Sequence, residues 1–334
     1  MGVFTWLFKR RPKDAVVSQP VEPLEPLPVT ETIVPPADLW EIFGATIRGA
    51  SHVRTELPNQ DAIGWRPECG KGRSVLLAVA DGHGSPKCFR SDTGSRLAVE
   101  TALKVFQEFL AGQADPPDLT ACKRAVDEQL PMMIERRWKA AVAKHLEEHP
   151  LLVLEVARVE ESQGVAARQA VENEPIHAYG TTLLGIIMHE SFLACLQLGD
   201  GDILLVTQSG EVIRPIADDS RLIANETTSM GSDNSWRDFR ACFQAVADAP
   251  PALVLAATDG YSNAFSTPQG FLSVGSDLMD ILRTEGIESL AESLPKWLEE
   301  ASQQGSGDDV TAGIVCCLAV SKEKVEEAKQ VTGC

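Results

Sequence analysis

Short apolar runs bounded by turn residues recur along the chain and predict buried strands. Each run is rich in Val, Ile or Leu and too short for a typical helix, which favours strands buried on both faces. Short polar links separate the second strand from the third and the third from the fourth, so these three are expected to form consecutive antiparallel hairpins. The predicted strands are Ser74–Ala80, Thr182–Met188, Phe192–Leu198, Ile203–Thr207, Leu253–Ala257 and Val310–Leu318.

Apolar positions at helical spacing predict helices in three regions: Arg96–Leu110, around Leu119–Leu146, and Ile287–Ala301. The block over residues 111–175 is long and charged, carries no chemical motif, and is expected to cover a sheet with helices; its role stays open. Strands cluster before and after this block instead of alternating with helices. The pattern therefore predicts an α+β class with antiparallel sheets.

The ends of the chain differ in composition from its middle. Seven prolines lie between Pro12 and Pro36 without apolar periodicity, which is typical of an extended tail. We expect a Pro-rich flexible tail over residues 1–38, one folded domain over 39–320 and a C-terminal tail over 321–334. No apolar run is long enough to cross a membrane, so no transmembrane segment is predicted.

Charge and cysteine usage narrow the class of partner and the compartment. Asp and Glu number 48 against 30 Lys and Arg, a net charge of −18, which leaves no global basic field for nucleic acid. The eight cysteines form no Cys-x-x-Cys pair, so a structural zinc site is not expected. With no export signal and no disulfide framework, a reduced, cytoplasmic location fits best.

Aspartates stand beside glycines at the ends of four apolar runs. Each Asp-Gly step alone is typical of a turn. Four carboxylates crowded at one sheet edge, however, would repel unless cations lay between them, and Mg²⁺ or Mn²⁺ with oxygen ligands are the natural candidates. The four segments are Asp81-Gly-His-Gly84, Gly199-Asp200-Gly201, Thr258-Asp259-Gly260 and Gly307-Asp308-Asp309.

These segments belong to an ordered series that resembles the metal-dependent protein phosphatases of type 2C, of the bacterial kind. The resemblance spans about residues 44 to 320. It is carried by Asn59-Gln-Asp-Ala62, Val79-Ala-Asp-Gly-His-Gly84, Tyr179-Gly-Thr-Thr-Leu183, Leu198-Gly-Asp200, Ala257-Thr-Asp-Gly260 and Gly307-Asp-Asp-Val-Thr311.

The resemblance implies a four-layer α-β-β-α sandwich, in which two antiparallel sheets are flanked by helices, and a site for two Mn²⁺ or Mg²⁺ ions at one end. By position in the motifs, Asp81 is expected to bridge the two ions and the Gly82 carbonyl to bind one of them. Asp259 and Asp308 would hold the second ion. Asp200 matches the acid that recruits a third, weaker ion in bacterial members.

Other residues are implied in catalysis. Asp61 matches a carboxylate that orients the attacking water, and His83 stands where the family places a proposed general acid; its alternative is a histidine packed beside the metals. Asp309 is expected to support the neighbouring ligand. Two positions depart from the family, because Gln60 replaces a common Glu and Glu56 replaces the phosphate-binding Arg.

The nearest substitutes for that missing arginine are Arg54, which we expect to bind the phosphate, and His52. The segment over about 210–250 falls where the family inserts a mobile flap beside the site, with an ordinary surface connection as its alternative. No nucleophilic Ser or Cys is needed when water attacks the phosphorus directly, and no Cys-x5-Arg signature occurs.

The expected activity is metal-dependent hydrolysis of phosphoserine and phosphothreonine in proteins by a water or hydroxide held between two divalent cations. The expected partners are phosphorylated proteins, namely a cognate Ser/Thr kinase or its targets. Two alternatives stay open. One is a catalytically weak phosphoprotein-binding or regulatory module on the same fold, and the other is a hydrolase of small phosphoesters.

Overall fold

The structure is a computed structural model that describes residues 38–217, 227–246 and 250–319. The tail expected at residues 1–38 lies outside the described residues except for Asp38, and the tail expected at 321–334 lies wholly outside them. The middle of the flap-like segment, residues 218–226, is also outside. Among the described helices, none combines the length and the apolar character needed to cross a membrane.

Eleven strands form two antiparallel sheets in the described part of the chain. The six-stranded sheet has the order β3-β1-β11-β10-β7-β8, and the five-stranded sheet has the order β2-β4-β5-β6-β9. The strands are β1 (Trp40–Ile47), β2 (Ala62–Arg66), β3 (Lys71–Gly72), β4 (Val75–Ala80), β5 (Leu183–Met188), β6 (Phe192–Leu198), β7 (Asp202–Val206), β8 (Val212–Ile213), β9 (Arg240–Ala245), β10 (Leu253–Ala257) and β11 (Val310–Cys317).

The hairpin expectation is confirmed for β5 and β6 and is wrong for β6 and β7. Strand β6 pairs with β5 and β9, whereas β7 pairs with β10 in the other sheet. The link Gly199–Gly201 therefore crosses between the sheets instead of closing a hairpin. Gly199 has a φ of +101°, a conformation that disfavours side chains, and this sharp turn leaves Asp200 at the end of the sandwich.

The two sheets pack face to face over a shared core. Side chains such as Leu77 and Ile186 of the five-stranded sheet meet Val254 and Val315 of the six-stranded sheet, and all are at most 1% exposed. Because these strands are covered on both faces, they read in the sequence as continuous apolar runs.

Helices cover the outer face of each sheet, so the expected four-layer sandwich is confirmed. Phe106 and Trp138 pack on the five-stranded sheet, and Leu290 and Leu298 pack on the six-stranded sheet, all fully buried. The helices are α1 (Ala50–Thr55), α2 (Ser91–Ala111), α3 (Leu119–Arg124), α4 (Leu130–Glu148), α5 (Val153–Gln163), α6 (Val165–Asn173), α7 (Asp259–Ser262), α8 (Pro268–Thr284) and α9 (Ile287–Ala301).

The 111–175 block is tied to the sandwich through Arg90, which is 8% exposed and precedes α2. Its guanidinium donates two hydrogen bonds to Glu155 of α5, at 3.0 and 2.8 Å. It also donates to the carbonyls of His149 and Pro150 and to the hydroxyl of Tyr179. One buried side chain therefore joins the start of α2, the end of α4, helix α5 and the turn Pro175–Tyr179.

Candidate active site

The direction of the strands brings the aspartates predicted from the sequence to one end of the sandwich. Strands β4 and β6 are each antiparallel to β5, so their C-terminal ends share an edge, where Asp81 and Asp200 follow. In the other sheet β10 ends beside the start of β11, which places Asp259 next to Asp308. All four aspartates line one cavity of about 1090 Å³.

Two of these carboxylates, those of Asp81 and Asp259, lie close enough for each to shift the pKa of the other. Burial raises the pKa of Asp81 well above its ordinary value, and the charges of Asp61 and Asp259 raise it further. Burial likewise raises the pKa of Asp259, with the charges of Asp200 and Asp308 adding to the effect. The cluster is thus crowded with negative charge.

Asp61 lies behind this cluster and does not line the cavity. It is 7% exposed, and its carboxylate accepts a hydrogen bond from the Thr258 hydroxyl at 2.8 Å. Burial raises its pKa well above the ordinary value, against the hydrogen bond from Thr311. Its charge acts on Asp81, so the structure places Asp61 as a neighbour of the lining aspartate.

Asp309 is engaged with the backbone. Its carboxylate accepts hydrogen bonds from the amides of Gly49 and Gln60, both at 2.6 Å. His52 Nδ1 lies 2.9 Å from Asp309 Oδ2, and its Nε2 lies 3.7 Å from Asp308 Oδ1. These three side chains bring ligand atoms within 4.8 Å of one another. Because Asp309 is already satisfied by two amides, the carboxylates of the cavity form the better cation site.

Neither of the two candidates for phosphate binding lines the cavity. His52 faces Asp309 and Asp308, and Arg54 is exposed on α1; neither is among the lining residues. Glu56, at the position of the missing arginine, ends α1 with a φ of 60° and is exposed. Among the lining residues, all from the described ranges, Lys87 is the one Lys or Arg.

His83 lines the cavity with its ring against Gly180. Burial lowers its pKa to about 4, Asp200 opposes this shift, and Lys87 adds to it. A histidine with this pKa is protonated in roughly one molecule in a thousand at pH 7. The ring is therefore neutral at that pH in the metal-free protein.

Two glycines beside the aspartates allow close backbone contact. A Cβ on Gly260 would lie 2.0 Å from the carbonyl oxygen of Asp309, and one on Gly82 would lie 2.6 Å from that of Gln60. Contacts of this length are not tolerated between a carbon and a carbonyl oxygen. The Asp-Gly pattern at these positions thus lets the loops approach each other at the edge of the sandwich.

The donors present fit hard divalent cations. Asp81, Asp200, Asp259 and Asp308 offer carboxylate oxygens to one cavity, and Mg²⁺ and Mn²⁺ prefer such ligands. Outside the lining, Gln60 has a buried side-chain oxygen, Oε1, without a hydrogen-bond partner among the described residues, while its Nε2 donates to Ser91 at 2.6 Å. Unpartnered buried oxygens of this kind are costly unless a water or an ion satisfies them.

Several lining residues of the cavity were not predicted from the sequence. They include Lys87 and His177 from two short turns, and Ser229 and Ser232 from the segment expected to form a flap. That segment also contains strands β8 and β9, so it is not a loop throughout. The Gly-Ser-Pro turn signal after His83 could have pointed to Lys87, because it keeps the chain close to the end of β4.

Comparison with known proteins agrees with this geometry. The sequence model described as Protein phosphatase 2C matches residues 48–299. The fold is similar to PppA, a regulatory component of the T6SS in Pseudomonas aeruginosa (17% identity, TM-score 0.52), over 84% of this chain and 99% of that one. It is also similar to the serine/threonine phosphatase Stp1 from Staphylococcus aureus (15% identity, TM-score 0.51), over 86% and 99%.

A third similar structure is the catalytic domain of the serine/threonine phosphatase PstP in complex with two manganese ions (20% identity, TM-score 0.49), over 84% of this chain and 98% of that one. No curated protein matches the chain. Since the family match covers most of the sequence and includes Asp81, Asp200 and Asp259, the chain belongs to the protein phosphatase 2C family.

Proposed function

We propose that this protein hydrolyses phosphoserine and phosphothreonine in other proteins with the help of two Mn²⁺ or Mg²⁺ ions. The observation that carries the proposal is the convergence of Asp81, Asp200, Asp259 and Asp308 on one cavity. Membership of the phosphatase family supports it. The proposed substrates are phosphorylated proteins, with a Ser/Thr kinase or its targets as the partner class.

The position of each aspartate in the cavity suggests which ion it would hold. We propose that Asp81 would bind both ions and the Gly82 carbonyl one of them, that Asp259 and Asp308 would hold the second ion, and that Asp200 would hold a weaker third ion. When bound, such ions lower the pKa of water and neutralise phosphoryl oxygens. The aspartates keep the ions in place because their mutual repulsion falls only when cations or protons lie between them.

Two residues would act beside the ions. We propose that Asp61, which lies behind Asp81, fixes the charge and orientation of that ligand and through it the attacking water. His83 lines the cavity and is proposed to donate a proton to the leaving serine or threonine oxygen. In the metal-free protein burial lowers the pKa of His83 to about 4, so the ring is neutral at pH 7 and this role requires a higher pKa when substrate is bound. The charge of Asp200 acts in that direction, because it favours the protonated form.

The proposal predicts activity that depends on metal. The full chain with Mn²⁺ should release phosphate from a phosphothreonine peptide, and a chelator should lower the rate at least about 10²-fold, since the ions supply the charge stabilisation. Restoring Mn²⁺ should restore the rate. Equal rates with and without chelator would contradict the proposal.

One observation favours a second function, a phosphoprotein-binding module with weak catalysis. Glu56 replaces the arginine of the family, and its substitute Arg54 is exposed outside the cavity. The four retained aspartates argue for catalysis. Tight binding of the same peptide without turnover at saturating Mn²⁺ would favour the binding module. Faster turnover of p-nitrophenyl phosphate than of any phosphopeptide would favour a small-molecule hydrolase.

A further inference from the structure

The cavity is lined by four aspartates and also by one lysine and several neutral hydrogen-bonding groups. We propose that Lys87, an exposed lysine of this lining, binds the phosphoryl group of the substrate in place of Arg54, which is exposed outside the cavity. This inference rests on the proposed function, because it names the residue that grips the phosphate during that reaction. Its first support is location: Lys87 lines the cavity together with all four aspartates, whereas Arg54 does not.

The charge of Lys87 is available to a ligand. Within the described residues Lys87 forms no ion pair, unlike Lys71, Lys123 and Lys139, which each contact a carboxylate. The charge of Lys87 lowers the pKa of His83, and the charge of Asp200 raises it. The lysine and this aspartate therefore both lie close to His83. A phosphate dianion held at the aspartates through cations would meet in Lys87 a positive group from the protein itself.

The backbone that carries Lys87 is held on both sides. Lys87 lies in the short turn Pro86–Cys88, where the Cys88 amide donates to the Ser85 carbonyl at 2.7 Å. Cys88 is 4% exposed and packs beside Gly180, which anchors the turn to the sandwich. Two residues further on, Arg90 makes the buried network with Glu155. A fixed turn lowers the entropy lost when the lysine engages a ligand.

Binding of inorganic phosphate tests the inference without turnover. Calorimetric titration of phosphate into the Mn²⁺-loaded full chain should give a Kd about 10-fold weaker for Lys87→Ala, the usual effect of losing a hydrogen bond to a charged group. Lys87→Arg should restore most of the affinity. Arg54→Ala and Lys104→Ala, a change of an exposed lysine on α2, should leave it unchanged. An unchanged Kd for Lys87→Ala, a loss in Arg54→Ala instead, or no phosphate binding by the unaltered chain would overturn the inference.

Turnover separates this inference from the proposed function. Lys87→Ala should raise KM for p-nitrophenyl phosphate and for a phosphothreonine peptide by a similar factor, because both carry the same phosphoryl group. If KM rises only for peptides with acidic residues beside the phosphothreonine, Lys87 binds those acidic side chains and not the phosphoryl group, and the inference is wrong. If phosphate binding depends on Lys87 but the unaltered chain hydrolyses neither substrate, the proposed function fails, and Lys87 is a phosphate-binding residue without a role in hydrolysis.

Discussion

Replacing Asp259 by alanine is expected to lower kcat for a phosphothreonine peptide by at least about 10³-fold at saturating Mn²⁺, because the change removes one of the few carboxylates proposed to hold the ions. Asp259 is the first residue of α7, lines the cavity and raises the pKa of Asp81. Steady-state phosphate release at several Mn²⁺ concentrations measures the effect, and added metal should restore little of the activity.

A matched control distinguishes the loss of a carboxylate from the cavity from the loss of one negative charge elsewhere on the protein. Asp280→Ala removes an exposed aspartate from α8 and should keep full activity. The metal-free Asp259→Ala protein should melt no lower than the unaltered chain, since burial and neighbouring carboxylates already raise the pKa of Asp259 and make its charged form unfavourable. Full activity in Asp259→Ala would remove this residue from the proposed ligand set.

Replacing Arg90 by alanine is expected to lower the free energy of unfolding by about 3 kcal/mol, because it leaves Glu155 without its cation and two carbonyls without a donor. The partner side chain is 23% exposed, so solvent offsets part of the loss. Urea denaturation followed by tryptophan fluorescence measures it. Because the network also fixes the turn of Lys87, phosphate affinity should fall in the same variant.

An exposed pair of similar geometry provides the control for Arg90. Arg137 donates two hydrogen bonds to Glu108, but the two side chains are 41% and 55% exposed, so Arg137→Ala should change stability little.

The stabilisation by the Arg90–Glu155 pair should depend on pH. Burial raises the pKa of Glu155, but hydrogen bonds from Arg90 and from the Leu152 amide outweigh this effect, and the net pKa lies below the ordinary value. The pair therefore stabilises the fold above the ordinary Glu pKa of about 4.3, and the difference between the unaltered chain and Arg90→Ala should shrink as the pH falls further. Equal losses in Arg90→Ala and Arg137→Ala would contradict a buried network.

The continuous apolar strands were accessible from the sequence because both of their faces are buried. Strand β1 was not, since Gly44 and Thr46 interrupt its apolar pattern and its stability comes from full-length pairing with β11. Helix α8 was missed for a similar reason. Gly275 weakens its helix propensity, and it is present because a Cβ would lie 2.9 Å from Val212.

The acidic half of the site could be predicted, whereas the cationic half could not. The aspartates stand next to glycines directly at strand ends, and this pattern can be recognised in the sequence without knowledge of the fold. The position of Lys87 depends on how the turn Pro86–Cys88 packs against α5 and the turn Pro175–Tyr179, and a linear sequence does not specify such long-range contacts. The crossing of Gly199–Gly201 between sheets was missed because a short Gly-Asp-Gly link is equally typical of a hairpin.

The central claim is that the lining aspartates hold divalent cations. Anomalous diffraction at the manganese edge, from crystals of the full chain grown with Mn²⁺, tests it most directly. We expect two peaks in the cavity, each about 2.1 Å from a carboxylate oxygen, with Asp81 contacting both and Asp259 and Asp308 contacting one. No peak in the cavity, or a single peak between His52, Asp308 and Asp309, would show that the lining aspartates do not hold the ions as proposed.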